Sequence, residues 1–285
     1  VCAAQGREEA CVGGRPEEGG SEDGEIAIDR GTSEPLVAGP DMPDNGTSVR
    51  KVKKEPVQQG YIGSCTNASY ADSKKAAAIL KGRKVHDDVS LTVSVSTRQI
   101  FRKLLEEGAI SDLVDAGARI TEIACGACAG MGQAPPTNGI SVRTSNRNFK
   151  GRAGTADARI FLVSPEVAAA PAIRGVLSDP AEVMDNLSAL AQIREPLSLP
   201  LNDNMLIAPV DDTSAVEVIR GPNIKPLPIN NPLPDVIDAR VSLKAGDNIS
   251  TDDITPAGAQ FSSMRSNIPL IAEYAFSRYD PDFVK

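Results

Sequence analysis

Cys125-Gly126-Ala127-Cys128 holds two thiols on a tight glycine turn, and a third thiol, Cys65, stands sixty positions earlier in the chain. The two intervening residues let both side chains of the pair point into one pocket, where they can hold one metal centre. Three thiolates on a four-iron, four-sulfur cube would leave one iron without a protein ligand, and such an open iron acts as a Lewis acid on a substrate. A structural zinc site and three unrelated buried thiols are the alternatives.

The composition is that of a globular protein with an acidic surface. Of the 285 residues, 41% are hydrophobic, which is enough for a core in one large domain or two ordinary ones. No apolar run approaches the roughly 20 residues that span a bilayer, so we expect no membrane segment. The net charge of −8 argues against general affinity for nucleic acid or for anionic membranes. An anionic substrate would need particular arginines to bind it.

The cysteine count bears on the compartment. Five cysteines, an odd number, give no disulfide framework, so we expect a reducing cytoplasm with at least three thiols kept for metal. Cys2 and Cys11 are interpreted as incidental. The chain starts with Val1 and a polar segment without an apolar core, which predicts no signal peptide and indicates an incomplete chain.

Strand and helix patterns alternate from Val57 onward. Strands are predicted over residues 58–63, 89–95, 119–124 and 159–163. Helices are predicted over 69–81, from a capping box at 96–99 to about 108, over 111–116, and from Ser164 onward, with Pro171 expected to kink or shorten the last one. The apolar residues expected on the inner faces of the first two helices are Ala76, Ile79, Leu80, Ile100, Phe101, Leu104 and Leu105.

Two of the predicted strands lead directly into cysteine. Cys65 follows the strand over 58–63, and Cys125 follows the strand over 119–124. In open α/β sheets, ligands bind at the carboxyl ends of the strands. The sequence therefore predicts that the thiols meet at one edge of a sheet, and two such strand exits are hard to explain by chance.

The segments on either side carry weaker signals. Residues 1 to about 50 show little pattern, although Ile26-Ala27-Ile28 alternates enough to predict a short strand. Between Pro196 and Pro234 lie eight of the 21 prolines with no sustained period, which predicts an extended linker. A new apolar segment begins at Val236.

Three ordered motifs, with further support downstream, resemble the signature blocks of the aconitase family and its dehydratase relatives. They are Gly63-Ser64-Cys65-Thr66-Asn67, Cys125-Gly126-Ala127-Cys128-Ala129-Gly130 and Asn146-Arg147-Asn148-Phe149-Lys150-Gly151-Arg152. Ser164-Pro165-Glu166 is also similar to the family. The segment from Gly246-Asp247-Asn248-Ile249 through Arg265-Ser266-Asn267 resembles the opening of the family's mobile "swivel" domain.

The resemblance implies a cofactor and a set of site residues. The matching cysteines, here Cys65, Cys125 and Cys128, bind a [4Fe-4S] cluster with one open iron in the family. The substrate-binding arginines fall on Arg147, Arg152 and Arg265, and guanidinium grips a carboxylate through two parallel hydrogen bonds. Asn146 matches a position beside the cluster, and Asp252 falls on an aspartate near the active site.

Each assignment has a plainer alternative. The three arginines could be ordinary surface residues, and Asp252 could simply cap a turn. His86, the only histidine, lies in a loop before a strand and is expected to be exposed to solvent. Ala127 stands where the family usually has proline, and Asp253 stands where it usually has histidine, so the first could loosen the turn and the second removes a potential proton partner.

The resemblance also implies the architecture. We expect an α/β fold: residues 1–24 as the remainder of an upstream region, 25–190 as an aconitase-type iron–sulfur domain of strand–helix repeats, 191–235 as a Pro-rich linker, and 236–285 as the start of a swivel domain. The family's serine base would lie beyond Lys285, and its amino-terminal aspartate and histidine before Val1. We therefore expect an internal fragment with little or no turnover alone.

The leading functional hypothesis is a hydro-lyase that interconverts citrate and isocitrate through cis-aconitate. The alternative within the superfamily is an isopropylmalate or homoaconitate dehydratase, whose large subunit commonly lacks a swivel domain like the one predicted after the linker. A non-catalytic iron–sulfur protein, such as a sensor, and a zinc module are the rivals of other classes. The expected partner is a small tricarboxylate substrate, without nucleic acid or membrane, and the full-length protein is expected to be a monomer.

Overall fold

The computed structural model describes residues 2–14, 19–20, 23–29, 31, 33–256 and 259–285, except for the side chains of Ala259 and Ser262. The chain divides into two units, Val1–Leu206 and Ile207–Lys285, and each is described by itself. The division into four segments that the sequence suggested stays a prediction.

The first unit is α/β and is built on a mixed sheet, with seven strands among the described residues, in the order β2-β1-β7-β6-β3-β4-β5. The strands β7, β6, β3, β4 and β5 run parallel to one another, and β1 is antiparallel to both β2 and β7. Their bounds are β1 Leu36–Ala38, β2 Gly46–Ser48, β3 Gln59–Ile62, β4 Ser90–Val93, β5 Arg119–Ile120, β6 Ile140–Arg143 and β7 Arg159–Val163.

Four helices of this unit connect or follow the parallel strands. They are α1 Tyr70–Leu80, α2 Arg98–Glu106, α3 Ala109–Asp115 and α4 Pro165–Arg174. Ser69 and Asp72 form a capping box at the start of α1, and Ser164 caps the start of α4, so both helices begin where their unpaired backbone N–H groups find side-chain acceptors. Helix α1 packs against α4, and α4 packs against the central strand β3.

The two faces of the sheet differ in chemistry because side chains alternate along each strand. One face is apolar: Gly60 pairs with Leu91 and Val142, and Ile62 pairs with Val93, all within the buried core. The other face carries polar groups, which are buried except for Ser90. On it Gln59 stands beside Ser90 and Ser141, and Tyr61 stands beside Thr92 and Arg143.

The second unit has short helices and long extended segments. Residues 207–250 contain neither helix nor strand and are almost entirely exposed. Three helices follow in the described residues, α5 Thr251–Ile254, α6 Ala259–Ser262 and α7 Ile268–Ala272. Phe261 and Tyr274 meet edge to face with ring centroids 5.3 Å apart.

Most of the predicted elements are present, and several details were wrong. The strand over 119–124 ends at Ile120, because β5 is the outer strand and the chain leaves the sheet after Thr121 donates to Val93. Thr97 rather than Ser96 caps α2. Leu105 was expected to face inward but is 51% exposed, whereas Leu104 is fully buried.

The amino-terminal expectations were also wrong. Ile26-Ala27-Ile28 forms no strand, and both isoleucines are exposed, since no neighbouring strand pairs with this segment among the described residues. The strands β1 and β2, in a region that showed little pattern, were missed because each has only three residues. The strand β6, Ile140–Arg143, was also missed, since only four residues alternate there. Pro171 does not shorten α4 at that point, since the helix continues to Arg174 and stops at Gly175 in the left-handed conformation, and the alternative expectation of a kink stays a prediction.

No helix in the described part of the chain has the length and apolar character needed to cross a membrane.

The neighbouring leucines of α2 provide a matched test of this core. Leu104→Ala should lower the free energy of unfolding by about 2–5 kcal/mol, because it removes a fully buried side chain and leaves a cavity. Leu105→Ala should change it by no more than about 0.5 kcal/mol, since that side chain is half exposed. Urea unfolding of the two variants measures both values, and equal losses would contradict the placement of α2.

Candidate metal centre

The strand order creates a ligand-binding edge. From β3 the chain moves outward to β4 and β5 on one side, and then crosses to β6 and β7 on the other side of β3. Connections therefore diverge at the pair β3 and β6, and ligands bind at the carboxyl ends of the strands at such a switch point. Cys65 follows β3, and the segment 144–152 follows β6.

One pocket lies at this edge and is formed by the exits of three strands. Each of β3, β4 and β5 contributes the residues just after it, and two of the three thiols are among them. The lining residues are Ser64, Cys65, Ser94, Val95, Ser96, Ile123, Ala124 and Cys125. The thiols of Cys65 and Cys125 are free and exposed, so the topology brings together two residues sixty positions apart.

Cys128 is placed differently from the other two thiols. It lies in a 3-10 turn, Ala127–Ala129, is 5% exposed, and packs with Tyr61 and Ala127. Arg152 contacts it twice: Nη2 lies 3.4 Å from the sulfur and Nη1 donates to the carbonyl oxygen at 3.2 Å. The third thiol therefore faces the protein interior beside a cation.

The described residues contain no group of three His, Cys, Asp or Glu side chains close enough to hold a metal ion as they stand. The three-thiol centre thus stays a prediction. Its donor chemistry fits an iron–sulfur cluster, since all three sulfurs are free, two line one pocket and the third is three residues from one of them. It fits closed zinc coordination poorly, because the only histidine, His86, lies exposed beside Gly175 and outside the pocket.

The loop that carries Cys65 is held by Thr144, the residue that follows β6. The Thr144 hydroxyl accepts from the Gly63 N–H at 2.8 Å and donates to the Gly63 carbonyl at 2.7 Å. A Cβ at Gly63 would lie 2.7 Å from the Tyr61 hydroxyl oxygen and 2.8 Å from the Ser94 carbonyl oxygen, so no larger residue fits there. Ser64 adopts φ 105°, a strained conformation for a residue with a side chain.

The turn that carries Cys125 and Cys128 is held by a buried arginine. Arg143, at the end of β6, is 1% exposed. Its Nη1 donates to the carbonyl oxygens of Ala127 at 3.0 Å and Cys128 at 3.2 Å. Burial lowers the pKa of Arg143 to about 10, so the guanidinium remains charged at neutral pH.

The remaining predicted site residues lie in both units. Asn146 and Arg147 are exposed just after β6, and Arg152 is half-buried against the segment 125–133, which we call the cysteine turn. In the second unit Arg265 is exposed, whereas Asp252 is buried within α5. The structure thus places Arg152 beside Cys128, and the roles of all five residues remain predictions.

The two departures from the family pattern have local structural roles. Ala127 is buried, and its turn is closed by bonds from Ala129 to Cys125 at 3.0 Å and from Met131 to Gly126 at 2.9 Å. Asp253 completes a capping box with Ser250, accepting from its N–H at 2.8 Å.

Sequence reasoning did not identify the residues whose hydrogen bonds hold the loops of the site in place. Arg143 and Thr144 hold the thiol loops, and buried Asn148 donates to the carbonyl oxygens of Met42 and Ile160, each at 3.4 Å. One signal was available, although no strand was predicted there: Ile-Ser-Val-Arg at 140–143 alternates apolar and polar residues and ends in an arginine, a residue almost never fully buried unless it is paired. The pattern could not show which face that arginine occupied.

Gly130 and Gly132 offer a matched test of the cysteine turn. Both have positive φ, 87° and 68°. A Cβ at Gly130 would lie 2.0 Å from the Ala153 carbonyl oxygen, whereas one at Gly132 would meet nothing within 4 Å. Gly132→Ala should therefore cost only backbone strain, about 1–2 kcal/mol, and Gly130→Ala should cost more and separate the turn from the 151–154 segment. Urea unfolding and the alkylation rate of Cys128 measure this, and equal behaviour of the two variants would contradict the close approach.

Comparison with known proteins places the chain in one family. The model of the aconitase family (aconitate hydratase) matches residues 8–175. The chain is 44% identical to 3-isopropylmalate dehydratase large subunit 1 of Archaeoglobus fulgidus over 178 residues, 60% of this chain and 43% of that protein. It is 33% identical to the mitochondrial homoaconitase of Candida parapsilosis over 270 residues, 90% of this chain and 38% of that protein.

A third relative is the 3-isopropylmalate dehydratase large subunit of Moorella thermoacetica, 42% identical over 161 residues, 56% of this chain and 38% of that protein. The chain thus spans about two fifths of the length of the curated relatives it matches. The family match covers the whole sheet from β1 to β7 and all three thiols of the candidate centre. The chain belongs to the aconitase family.

Proposed function

We propose that this chain carries the iron–sulfur end of a hydro-lyase active site, with Cys65, Cys125 and Cys128 as the ligands of a [4Fe-4S] cluster. The observation that carries the proposal is the pocket at the carboxyl edge of the sheet, which unites Cys65 and Cys125. The third sulfur, on Cys128, follows Cys125 by three residues and is buried beside Arg152. When bound, such a cluster supplies an open iron that acts as a Lewis acid toward a hydroxyl group.

The protein groups at this edge are suited to bind and orient an anion. Arg152 lies against the cysteine turn, and Arg147 is exposed just after the strand β6. A guanidinium presents two parallel donors to a carboxylate, which fixes both position and rotation of the ligand. We therefore propose Arg147 and Arg152 as carboxylate-binding residues and Asn146 as a donor to the cluster edge. For Arg265 and Asp252 the proposal rests on the family resemblance alone.

The relatives favour one substrate class. They are named 3-isopropylmalate dehydratase and homoaconitase. We propose that the substrate is a hydroxylated di- or tricarboxylate of the isopropylmalate or homoaconitate type, ahead of the citrate suggested by the sequence motifs. Homoaconitase is the relative whose match extends over 90% of this chain and so into the second unit. That extent favours the homoaconitate type, acting without a separate small subunit.

The cluster assignment is tested with serine variants of four cysteines. After anaerobic reconstitution with iron and sulfide, Cys65→Ser, Cys125→Ser and Cys128→Ser should each lose most of the bound iron and sulfide and the visible absorption of the cluster. Cys11→Ser is the matched control, since this exposed thiol lies outside the pocket, and it should behave as the unchanged chain. Full cluster content in any of the three variants, or zinc in place of iron, would overturn the assignment.

The substrate assignment is tested by ligand-induced changes in the spin signal of the reconstituted chain. Isopropylmalate, homoisocitrate and citrate are titrated separately, and the homoaconitate-type ligand should give the strongest response. Arg152→Lys should weaken that response about tenfold to a hundredfold in concentration, because lysine cannot reproduce the bidentate grip.

Arg102→Lys is the control for this titration, since Arg102 is an exposed residue paired with Glu106 on α2. A stronger response to citrate than to the other ligands would instead assign the chain to the aconitate class. No response to any of them would favour a non-catalytic iron–sulfur protein.

A further inference from the structure

Arg143 is a charged residue in the interior of the sheet. The parallel register aligns Tyr61 of β3 with Arg143 of β6, and Gln59 with Ser141, so that all four side chains lie on the polar face of the sheet. The guanidinium carbon lies 5.3 Å from the centroid of the Tyr61 ring, within the range of a cation–π contact. The side chain thus lies under the turn that carries Cys125 and Cys128.

Every donor of the Arg143 guanidinium is used. A guanidinium has five N–H donors, and here each has an uncharged acceptor. The acceptors are the Ser141 hydroxyl at 2.8 Å, the Ala127 carbonyl at 3.0 Å, the Cys128 carbonyl at 3.2 Å, the Gln133 carbonyl at 3.0 Å and the Gln59 side-chain oxygen.

Three of the five acceptors are backbone carbonyls of the cysteine turn. The carbonyls of Ala127 and Cys128 lie near the middle of the turn, and that of Gln133 lies at its end. One planar guanidinium therefore holds the turn to the sheet at two points. Gln59 strengthens the second point, because its Nε2 also donates to the Gln133 carbonyl at 3.0 Å. A lysine in this place has three donors on one nitrogen and cannot span these acceptors.

The charge of Arg143 is left without a carboxylate partner among the described residues, since its five donors all go to neutral groups. Arg152 adds a second cation at Cys128: its Nη2 lies 3.4 Å from the sulfur, and its Nη1 donates to the same carbonyl oxygen as Arg143. An uncompensated cation in a site of low dielectric favours a nearby anion. A cluster held by thiolates is such an anion.

We propose that Arg143 is the positioning residue of the candidate centre: it fixes the cysteine turn on the sheet so that Cys128 is held in place for the cluster, and its buried charge favours the anionic, cluster-bound state. The inference rests on the proposed function for the cluster. Arg143 holds the cysteine turn from the sheet, and it is neither a cluster ligand nor one of the proposed substrate-binding arginines.

The test compares Arg143→Met and Arg143→Lys with the control Arg102→Met, in which an exposed arginine of α2 is removed. The first readout needs no cluster: it is the alkylation rate of each cysteine in the full chain, followed by mass spectrometry. Cys128 is buried and should react slowly in the unchanged chain and in Arg102→Met. In Arg143→Met its rate should rise about tenfold or more, because the turn has lost its anchor, whereas exposed Cys65 should react at an unchanged rate.

The second readout is the rate at which the reconstituted cluster loses iron to a chelator under anaerobic conditions. Arg143→Met should lose it about tenfold faster than the unchanged chain, with Arg143→Lys between the two, because lysine keeps the charge without the fork. Circular dichroism and urea unfolding establish that each variant is folded. If neither Arg143 variant folds, the residue serves the whole core and the inference is overturned.

The two readouts separate the inference from the function it rests on. If the unchanged chain takes up no cluster, the proposed function fails, and the alkylation rates still decide whether Arg143 holds the turn. If the unchanged chain holds a cluster while folded Arg143→Met shows the same Cys128 reactivity and the same iron loss, the inference fails and the function stands.

Discussion

The parallel pairing of β3 with β6 is the constraint on which the candidate centre depends. It aligns Gln59 with Ser141 and Tyr61 with Arg143, and it places the residues after both strands at one edge. A shift of one residue would turn Arg143 toward the apolar face, where α4 packs. The register therefore fixes at once the buried guanidinium, the Thr144 contact with Gly63 and the exit of Cys65.

A polar face inside a sheet is costly unless its groups find partners. Here most of them do: Arg143 uses all five donors, and Gln133 donates to the Ser90 hydroxyl at 3.1 Å. The hydroxyl of Thr92 is buried and has no hydrogen-bond partner among the described residues. An unpaired buried hydroxyl costs on the order of 1–3 kcal/mol. The unpaired group lies on the face of the sheet that holds the cysteine turn. Locally unfavourable contacts of this kind are expected at functional sites.

The sequence predicted the elements with strong periodicity and clear caps, such as α1 after Ser69 and β7 over 159–163. It also predicted that Cys65 and Cys125 would meet, because strand exits share an edge in a parallel sheet. It could not predict the burial of Arg143 or the exposure of Leu105, since both depend on which neighbour covers a given face. Nor could it find β1, β2 and β6, because runs of three or four residues are too short to show a period.

Membership of the aconitase family says more about the chemistry at the carboxyl edge of the sheet than about which substrate is bound there. The match to isopropylmalate dehydratase covers 60% of the chain at 44% identity, and the match to homoaconitase covers 90% at 33% identity. Isopropylmalate, homoisocitrate and citrate all contain carboxylates, so two guanidinium groups such as those of Arg147 and Arg152 would bind what these substrates share. Discrimination requires groups that face the part in which substrates differ. If Arg147 and Arg152 bind carboxylates as proposed, the choice of one hydroxy acid over another depends on residues other than these two.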